Sequence, residues 1–286
     1  MSNVLAVSIV PGEVALLVAR ANGAFEPLHQ LAAELPPGAV RAGLQPPNLP
    51  DVGQVAERLA ALAAEAGARR ERDGLVAVLV PDAAVRLALV PIEGAAPRGA
   101  EGDAMARWAL ADLLPVAAND LRIDWAVVGG NGRDASRWLL ALGADVNVVR
   151  EYEAVVEQAG FTPGRVVPLT LALAVGADDD IEDDEPAEAA GARLVLSGAG
   201  GQVACLVEAG GVPRLHRAWR GSAPDLSVEL PAVQRYAETR LGLSIVDAVV
   251  AGPDDWRRRA AGDCAACGWT VREPAIWTAH LGAVRP

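Results

Sequence analysis

The sequence contains no lysine; all 25 of its cationic side chains are arginine. That excludes a Walker-type phosphate lysine and any lysine nucleophile. Aromatic residues are scarce, with seven Trp, two Tyr and two Phe, and no basic stripe with interleaved aromatics occurs, which argues against nucleic acid as a partner. Three cysteines, an odd number, fit a reducing compartment rather than a disulfide framework. The three histidines, His29, His216 and His280, stand apart from any arrangement of nucleophile and orienting acid, so no triad can be built. Long apolar runs are also missing. The longest, Val166 to Ala177, is interrupted by Pro168 and falls short of the roughly twenty residues a membrane span needs. The first run, Val4 to Val10, is short, contains Ser8 and has no basic leader, so no signal peptide is expected. Together these absences predict a soluble, cytoplasmic chain.

Apolar residues make up 52% of the 286, enough to bury a large core in one domain or two lobes. The net charge of −12 is concentrated. Asp178 to Glu188, DDDIEDDEPAE, holds eight acids and no base, leaving 25 Arg against 29 acids elsewhere. Like charges packed so densely repel and extend the chain, so the run reads as a solvated linker rather than a metal site.

One pattern occurs twice. Leu5 to Val18 reads LAVSIVPGEVALLV and Leu194 to Val207 reads LVLSGAGGQVACLV, and seven of the fourteen positions are identical without a gap. Ser8 falls on Ser197 and Gly12 on Gly201. An apolar run, a Gly-containing turn and a second apolar run specify a buried β-hairpin. A further turn follows each copy, at Asn22-Gly23 and at Gly210-Gly211, so each half should open with a three-stranded meander. Shared Ser and Gly positions favour a duplication over chance similarity.

Between the copies, Leu35 to Pro50 carries five prolines and must be irregular. Asp51 should cap a helix ending near Gly67. Leu75 to Val80 and Val85 to Val90 read as strands, Glu101 to Leu114 as a helix, and Leu121 to Val128 and Arg137 to Leu142 as paired strands. Val146 to Ala159 is helical, followed by a short strand and helix. After the second hairpin come a strand from Val212 to Trp219 and a helix from about Asp225 to Leu241 with Pro231 near its start or at a kink. Then follow a strand from Ile245 to Ala251, a helix from Asp254 to Ala266, a strand from Thr270 to Arg272 and a helix from Ala275.

A duplicated lobe of this kind resembles the actin-like ATPase fold, an α/β, ribonuclease H-like architecture of two lobes. Leu113-Leu114-Pro115, LRIDWAVV and WLLALGADVNVVREYEAVVEQAGFTPGRVVPLTLALA extend the likeness. In their order they resemble the PilM family of type IV pilus assembly, with the cytoplasmic domain of GspL from type II secretion as a related possibility. The resemblance implies a first lobe over 1–176 with an inserted subdomain at about 27–120, an acidic linker over 177–190, and a second lobe over 191–286. It also implies a protein held peripherally at the inner membrane through its partners. A groove between the first lobe and its insertion would receive the cytoplasmic tail of PilN, and the assembly ATPase would be a further contact.

The fold also implies ATP with Mg²⁺, held between the two hairpins. Aligned to that pattern, Ser8 stands where the metal-ordering Asp belongs, Val10 at a Gly and Ala15 at a Lys or Thr. In the second hairpin Ser197 replaces the Asp, Gln202 a Thr, and Ala204 lies beyond it. Phosphoryl transfer depends on positioning and on the charge of the metal, so these losses predict a pseudo-ATPase with no catalytic residue and no resident cofactor. What remains for a degenerate nucleotide cleft is Ser8, Gly12, Ser197, Gly198, Gly200, Gly201, Gln202 and Gly252. The glycines of Ser197 to Gly201 either offer N–H groups to an anion or simply form a tight turn, the latter being favoured. Gly252-Pro253 replaces the Gly-Gly that faces adenosine in the family.

Cys264-Ala265-Ala266-Cys267 lacks the other two ligands of a zinc site and sits at a helix end rather than a helix start, so structural thiols are expected. The sequence thus predicts a non-catalytic cytoplasmic scaffold. The alternatives are a GspL-like secretion component, an ATP-dependent enzyme using unaligned acids such as Asp124, or a polymer-forming actin relative.

Overall fold

The computed structural model describes residues 3–21, 25–69, 75–129, 137–177, 191–199, 201–220 and 223–272. Strand β1 (Asn3–Val10) turns at Pro11-Gly12 into β2 (Glu13–Ala21), which pairs in turn with β3 (Phe25–Glu34). Val10 pairs with Glu13, so the loop has two residues, and Gly12 takes φ 91°, a conformation suited to glycine after proline. Helix α1 (Val52–Glu65) follows the proline-rich segment. Asp51 caps it by accepting from the Gln54 N–H at 3.0 Å. Val55, Leu59 and Leu62 form its buried stripe, and Gly67 ends it at φ 61°. Strand β4 (Leu75–Val80) lies parallel to β1.

The proline-rich segment has no helix or strand, as expected, yet it is fixed in place. Asn48 is fully buried, and its side chain bonds Gly43 N, Gly43 O and Gln45 O at 2.9 to 3.0 Å. The Asn48 and Leu49 N–H groups both donate to Glu151 Oε2, at 2.6 and 2.9 Å. Side chains thus satisfy backbone groups that no ladder serves.

Strand β5 (Arg86–Ile92), helix α2 (Ala100–Leu110), β6 (Leu121–Gly129) and β7 (Arg137–Asp145) form a separate sheet of order β5-β7-β6. Helix α2 packs on it at two glycines. A methyl group on Gly102 would lie 2.1 Å from the Trp125 ring, and one on Gly143 would lie 2.8 Å from Leu110. Trp125 Nε1–H donates to Asp103 Oδ1 at 2.7 Å. Asp124 lies exposed on the opposite side of the strand pleat.

Helix α3 (Val146–Gln158), β8 (Thr162–Pro168) and α4 (Leu169–Ala177) return to the first sheet, whose order is β3-β2-β1-β4-β8. The excursion out of this sheet is therefore β5 to β7, not 27–120. That earlier expectation took in α1 and, on either side of it, β3 and β4, two strands bound to the sheet by its own ladders. By contact, residues Met1–Ala84 and Val146–Asp180 form one compact unit, and Val85–Asp145 with Ile181–Glu273 form another. The acidic run, Asn22-Gly23 and the helix expected from Ala275 lie outside the described residues.

The second unit contains β9 (Ala192–Ala199), β10 (Gln202–Ala209), β11 (Val212–Arg220), helix α5 (Ala223–Tyr236), β12 (Ile245–Ala251), α6 (Asp254–Ala266) and β13 (Thr270–Arg272). Its order, β11-β10-β9-β12-β13, repeats that of the first sheet strand for strand. The register repeats too. Ser8 pairs with Ala15 and Leu79, and Ser197 with Ala204 and Ala251. Helix α5 contains Pro231 and passes into a π turn at Ala237–Leu241 before Gly242, where a single helix to Leu241 was expected.

The duplication reaches the helix ends. Gly160 and Gly268 take φ 90° and 85° after α3 and α6. Phe161 N–H donates to Val156 O at 3.0 Å and Trp269 N–H to Cys264 O at 3.3 Å, the same terminating motif. Cys264 therefore occupies the place of the core residue Val156, and both are fully buried. Burial pushes the Cys264 thiol up to about 12 and raises that of Cys267. These cysteines are packing residues of a helix end.

Candidate functional site

In open α/β sheets, ligands bind beyond the carboxyl ends of the parallel strands. In the first sheet that edge carries Ser8 on β1 and Asp82 just after β4, with Thr170 at the start of α4. Ser8 is buried within the ladder. Asp82 is buried as well, and its carboxylate accepts from the Thr170 N–H at 3.2 Å and from the Thr170 hydroxyl. A carboxylate at the first turn of α4 satisfies an otherwise open N–H and faces the positive end of the helix. Asp82 thus pins α4 to the end of β4. Gly12 sits in the hairpin turn beyond Ser8.

The corresponding edge of the second sheet carries Ser197, Gly198 and Gly252. Ser197 is buried at the same register position as Ser8. Gly198 lies in strand β9, not in the turn, which is confined to the two residues between Ala199 and Gln202. Gly201 has φ 75° there, while Gly200 lies outside the described residues. Gln202 opens β10 opposite Ala199 and Arg220.

The structure brings Gly198 and Gly252 together, and Trp256 covers both. A methyl group on Gly252 would lie 2.6 Å from the Gly198 carbonyl oxygen and 2.7 Å from Trp256 Cε3. One on Gly198 would lie 2.2 Å from Trp256 Cε2. Both glycines are therefore required by the indole, which projects from the first turn of α6. Pro253 opens that turn, and its carbonyl accepts from Arg257 N–H at 2.8 Å. Any group approaching the Gly198 or Gly252 backbone from this side meets the indole first. Neither Trp256 nor Asp82 belongs to a motif. The one sequence signal for them is the pair Val80-Pro81-Asp82 and Gly252-Pro253-Asp254, which the strand register places at equivalent points.

The far end of the second sheet is closed by charge. Arg193, Glu208 and Asp247 are all buried. Arg193 bonds Glu208 Oε1 at 3.1 Å and Asp247 Oδ2 at 3.2 Å, and Arg272 bonds Asp247 at 3.1 Å. Two cations thus face two acids within this ladder. No cluster of three His, Cys, Asp or Glu residues with metal-ligand geometry occurs among the described residues, and none of their helices is long and apolar enough to cross a membrane.

Neither a protein-family model nor a curated protein sequence matches the chain. Solved structures do. A chain of the PilM–PilN type IV pilus biogenesis complex is similar with a TM-score of 0.77 at 17% identity, over 96% of this chain and 89% of that one. The cytoplasmic domain of EpsL, an inner-membrane component of the type II secretion system of Vibrio cholerae, is similar at TM-score 0.56 and 15% identity, over 99% and 94%. A Bacteroides thetaiotaomicron protein with an actin-like ATPase fold and unknown function is similar at 0.59 and 8%, over 100% and 96%. With its repeated sheet topology and the excursion between β4 and α3, this chain has the actin-like ATPase fold.

Proposed function

We propose that this chain is a PilM-like scaffold of a type IV pilus assembly machine, and that it binds the cytoplasmic tail of a PilN-like inner-membrane protein. The observation that carries this reading is the likeness to a chain of the PilM–PilN complex, which extends over nearly all of both chains. In this reading the protein lies beneath the inner membrane, held there by its partners, with the assembly ATPase as a further contact. The tail docks as an extended segment against the three-stranded sheet, where β6 has an edge with no ladder partner among the described residues. Such docking combines backbone pairing with pockets for alternate side chains.

The scaffold turns over no nucleotide. This reading is supported by Ser8 and Ser197 standing where the fold's metal-ordering carboxylates belong, and by the indole of Trp256 lying against Gly252, where the family's Gly-Gly faces adenosine. A second reading, a GspL-like component of type II secretion, is supported by the likeness to EpsL.

The test is titration of the purified chain, without nucleotide, against synthetic N-terminal tails of PilN-like and GspL-partner membrane proteins. Binding of a PilN-like tail with only moderate salt sensitivity is expected. ATP hydrolysis should not exceed buffer controls, and neither Ser8→Asp nor Ser197→Asp alone should create it. Tight nucleotide binding with no tail bound would overturn the proposal.

A further inference from the structure

Strand β11 carries two arginines stacked on indoles, and they differ in one respect. Arg217 lies 5.2 Å from the centre of the Trp219 ring and forms an ion pair with Glu229 of α5 at 2.9 Å. Arg214 lies 5.4 Å from the centre of the Trp138 ring and has no carboxylate partner among the described residues. The backbone accounts for its position. Between Val207 and Glu208 the β10 ladder advances one residue while β11 advances two, from Leu215 to Pro213, so Arg214 is the extra residue of a β-bulge. A bulge at a sheet edge re-aims its side chain. Here the guanidinium lies over Trp138 of β7, a residue that pairs with Pro91 and Val128 in the three-stranded sheet.

The cost of this arrangement is not met among the described residues. Arg214 Nε and Trp138 Nε1 are both sealed from solvent without a hydrogen-bond acceptor. Among the other described residues such a nitrogen is either a lone indole N–H, as in Trp219 and Trp269, or belongs to a guanidinium already bound, as in Arg257 with Asp254 at 2.9 Å. Burial lowers the pKa of Arg214, a mark of weakened solvation. A guanidinium is itself planar, and one placed over an indole presents its outer donors as the fork that matches a carboxylate through two parallel bonds. Charge selects among anions: one uncompensated cation balances a monoanionic carboxylate and not a phosphate dianion.

We propose that the Arg214–Trp138 stack is a receptor for a carboxylate side chain, Asp or Glu, presented by a partner protein. The acid lies in the guanidinium plane, accepts from its outer N–H groups and completes the pair that Glu229 already completes for Arg217. This site is independent of the tail-binding reading and of the glycine edge.

The test uses the full chain labelled with ¹⁵N at tryptophan. The Trp138 indole resonance is assigned by its loss in Trp138→Phe. Titration with acetyl-Gly-Glu-Gly-amide should shift that resonance, and the Gln analogue should not. Arg214→Gln should weaken the response at least tenfold, and Arg214→Lys, which keeps charge but loses the plane, several-fold. The Glu-against-Gln comparison on the unaltered protein does not depend on either variant folding. Equal shifts with the Gln peptide, a larger response to inorganic phosphate, or an undiminished response in a folded Arg214→Gln protein would each overturn the proposal.

Discussion

The first and second sheets share strand order, register, hairpin length and helix-ending motif, yet they fill equivalent positions by different means. Register places Ile9 and Val80 of the first sheet where the second has Gly198 and Gly252. Ile9 and Val80 are fully buried and occupy their own space. In the second sheet the same volume is supplied by Trp256 from the next helix. At the opposite end, Val4, Ala19 and Leu75 correspond to Arg193, Glu208 and Asp247. There Leu75 is exposed, whereas the second sheet seals itself with ions. The backbone pattern survives duplication because ladders and turns constrain it. The side chains that fill the ends are free to exchange volume or charge between neighbouring elements, provided the total is conserved.

The largest effect should come from dismantling the ionic ladder. Arg193→Ala leaves Glu208 and Asp247 buried without their shared cation and should cost about 3–5 kcal/mol, read as a lower denaturation midpoint. Grafting the first sheet's residues instead, as Arg193→Val with Glu208→Ala and Asp247→Leu, removes the three buried charges together and leaves only the half-exposed Arg272 without its partner. That triple variant should be near neutral or even more stable, because desolvation is removed along with the attraction. If it were as unstable as the single variant, the two sheet ends would not be interchangeable.

Next in size is the volume exchange. Trp256→Ala should cost about 2–3 kcal/mol through the cavity it leaves, and Gly198→Ile alone about 1–3 kcal/mol or more through overpacking. Combined, they recreate the first sheet's solution and should recover part of both losses. A double-mutant cycle measures that coupling, and strict additivity would contradict it.

Smaller still is the Asp82–Thr170 clamp. Thr170→Val removes the hydroxyl donor but keeps the backbone N–H, so a loss of about 1 kcal/mol is expected. The smallest effect is chemical. Burial raises the thiol pKa of Cys264, so in a Cys267→Ser variant, which removes the partly exposed neighbour, the folded protein should resist thiol reagents at pH 8 and react readily only once unfolded. Reactivity of the folded state should climb only as the pH approaches 12. Rapid native labelling at neutral pH would indicate that the helix end opens.

Much of this backbone was legible in the residues. The hairpins, the capped α1, the strand at Ile245–Ala251 and the helix at Asp254–Ala266 follow from periodicity, Asp51 and well-placed glycines, signals that act over a few neighbours. The extent of the insertion was not legible, because β3 and β4 look alike in sequence whether they join this sheet, on β2 and β1, or leave it. The role of Gly198 was hidden for a related reason. A glycine in a Gly-rich stretch suggests a turn, and only the ladder to β12 reveals that it faces a tryptophan more than fifty residues away. The bulge at Arg214 depends on a register that no local pattern encodes.

The Asn48–Glu151 contact has a kinetic side. Its two partners are 103 residues apart, and β8 cannot join β4 until the whole β5-to-β7 excursion has been made. The first sheet therefore closes over long sequence separations, whereas the second is completed from the contiguous stretch Ala192 to Arg272. Long-range closure is slow because loop entropy is lost before contacts compensate for it. Glu151 is then the latch that fixes the proline-rich segment against α3, satisfying the Asn48 and Leu49 N–H groups together.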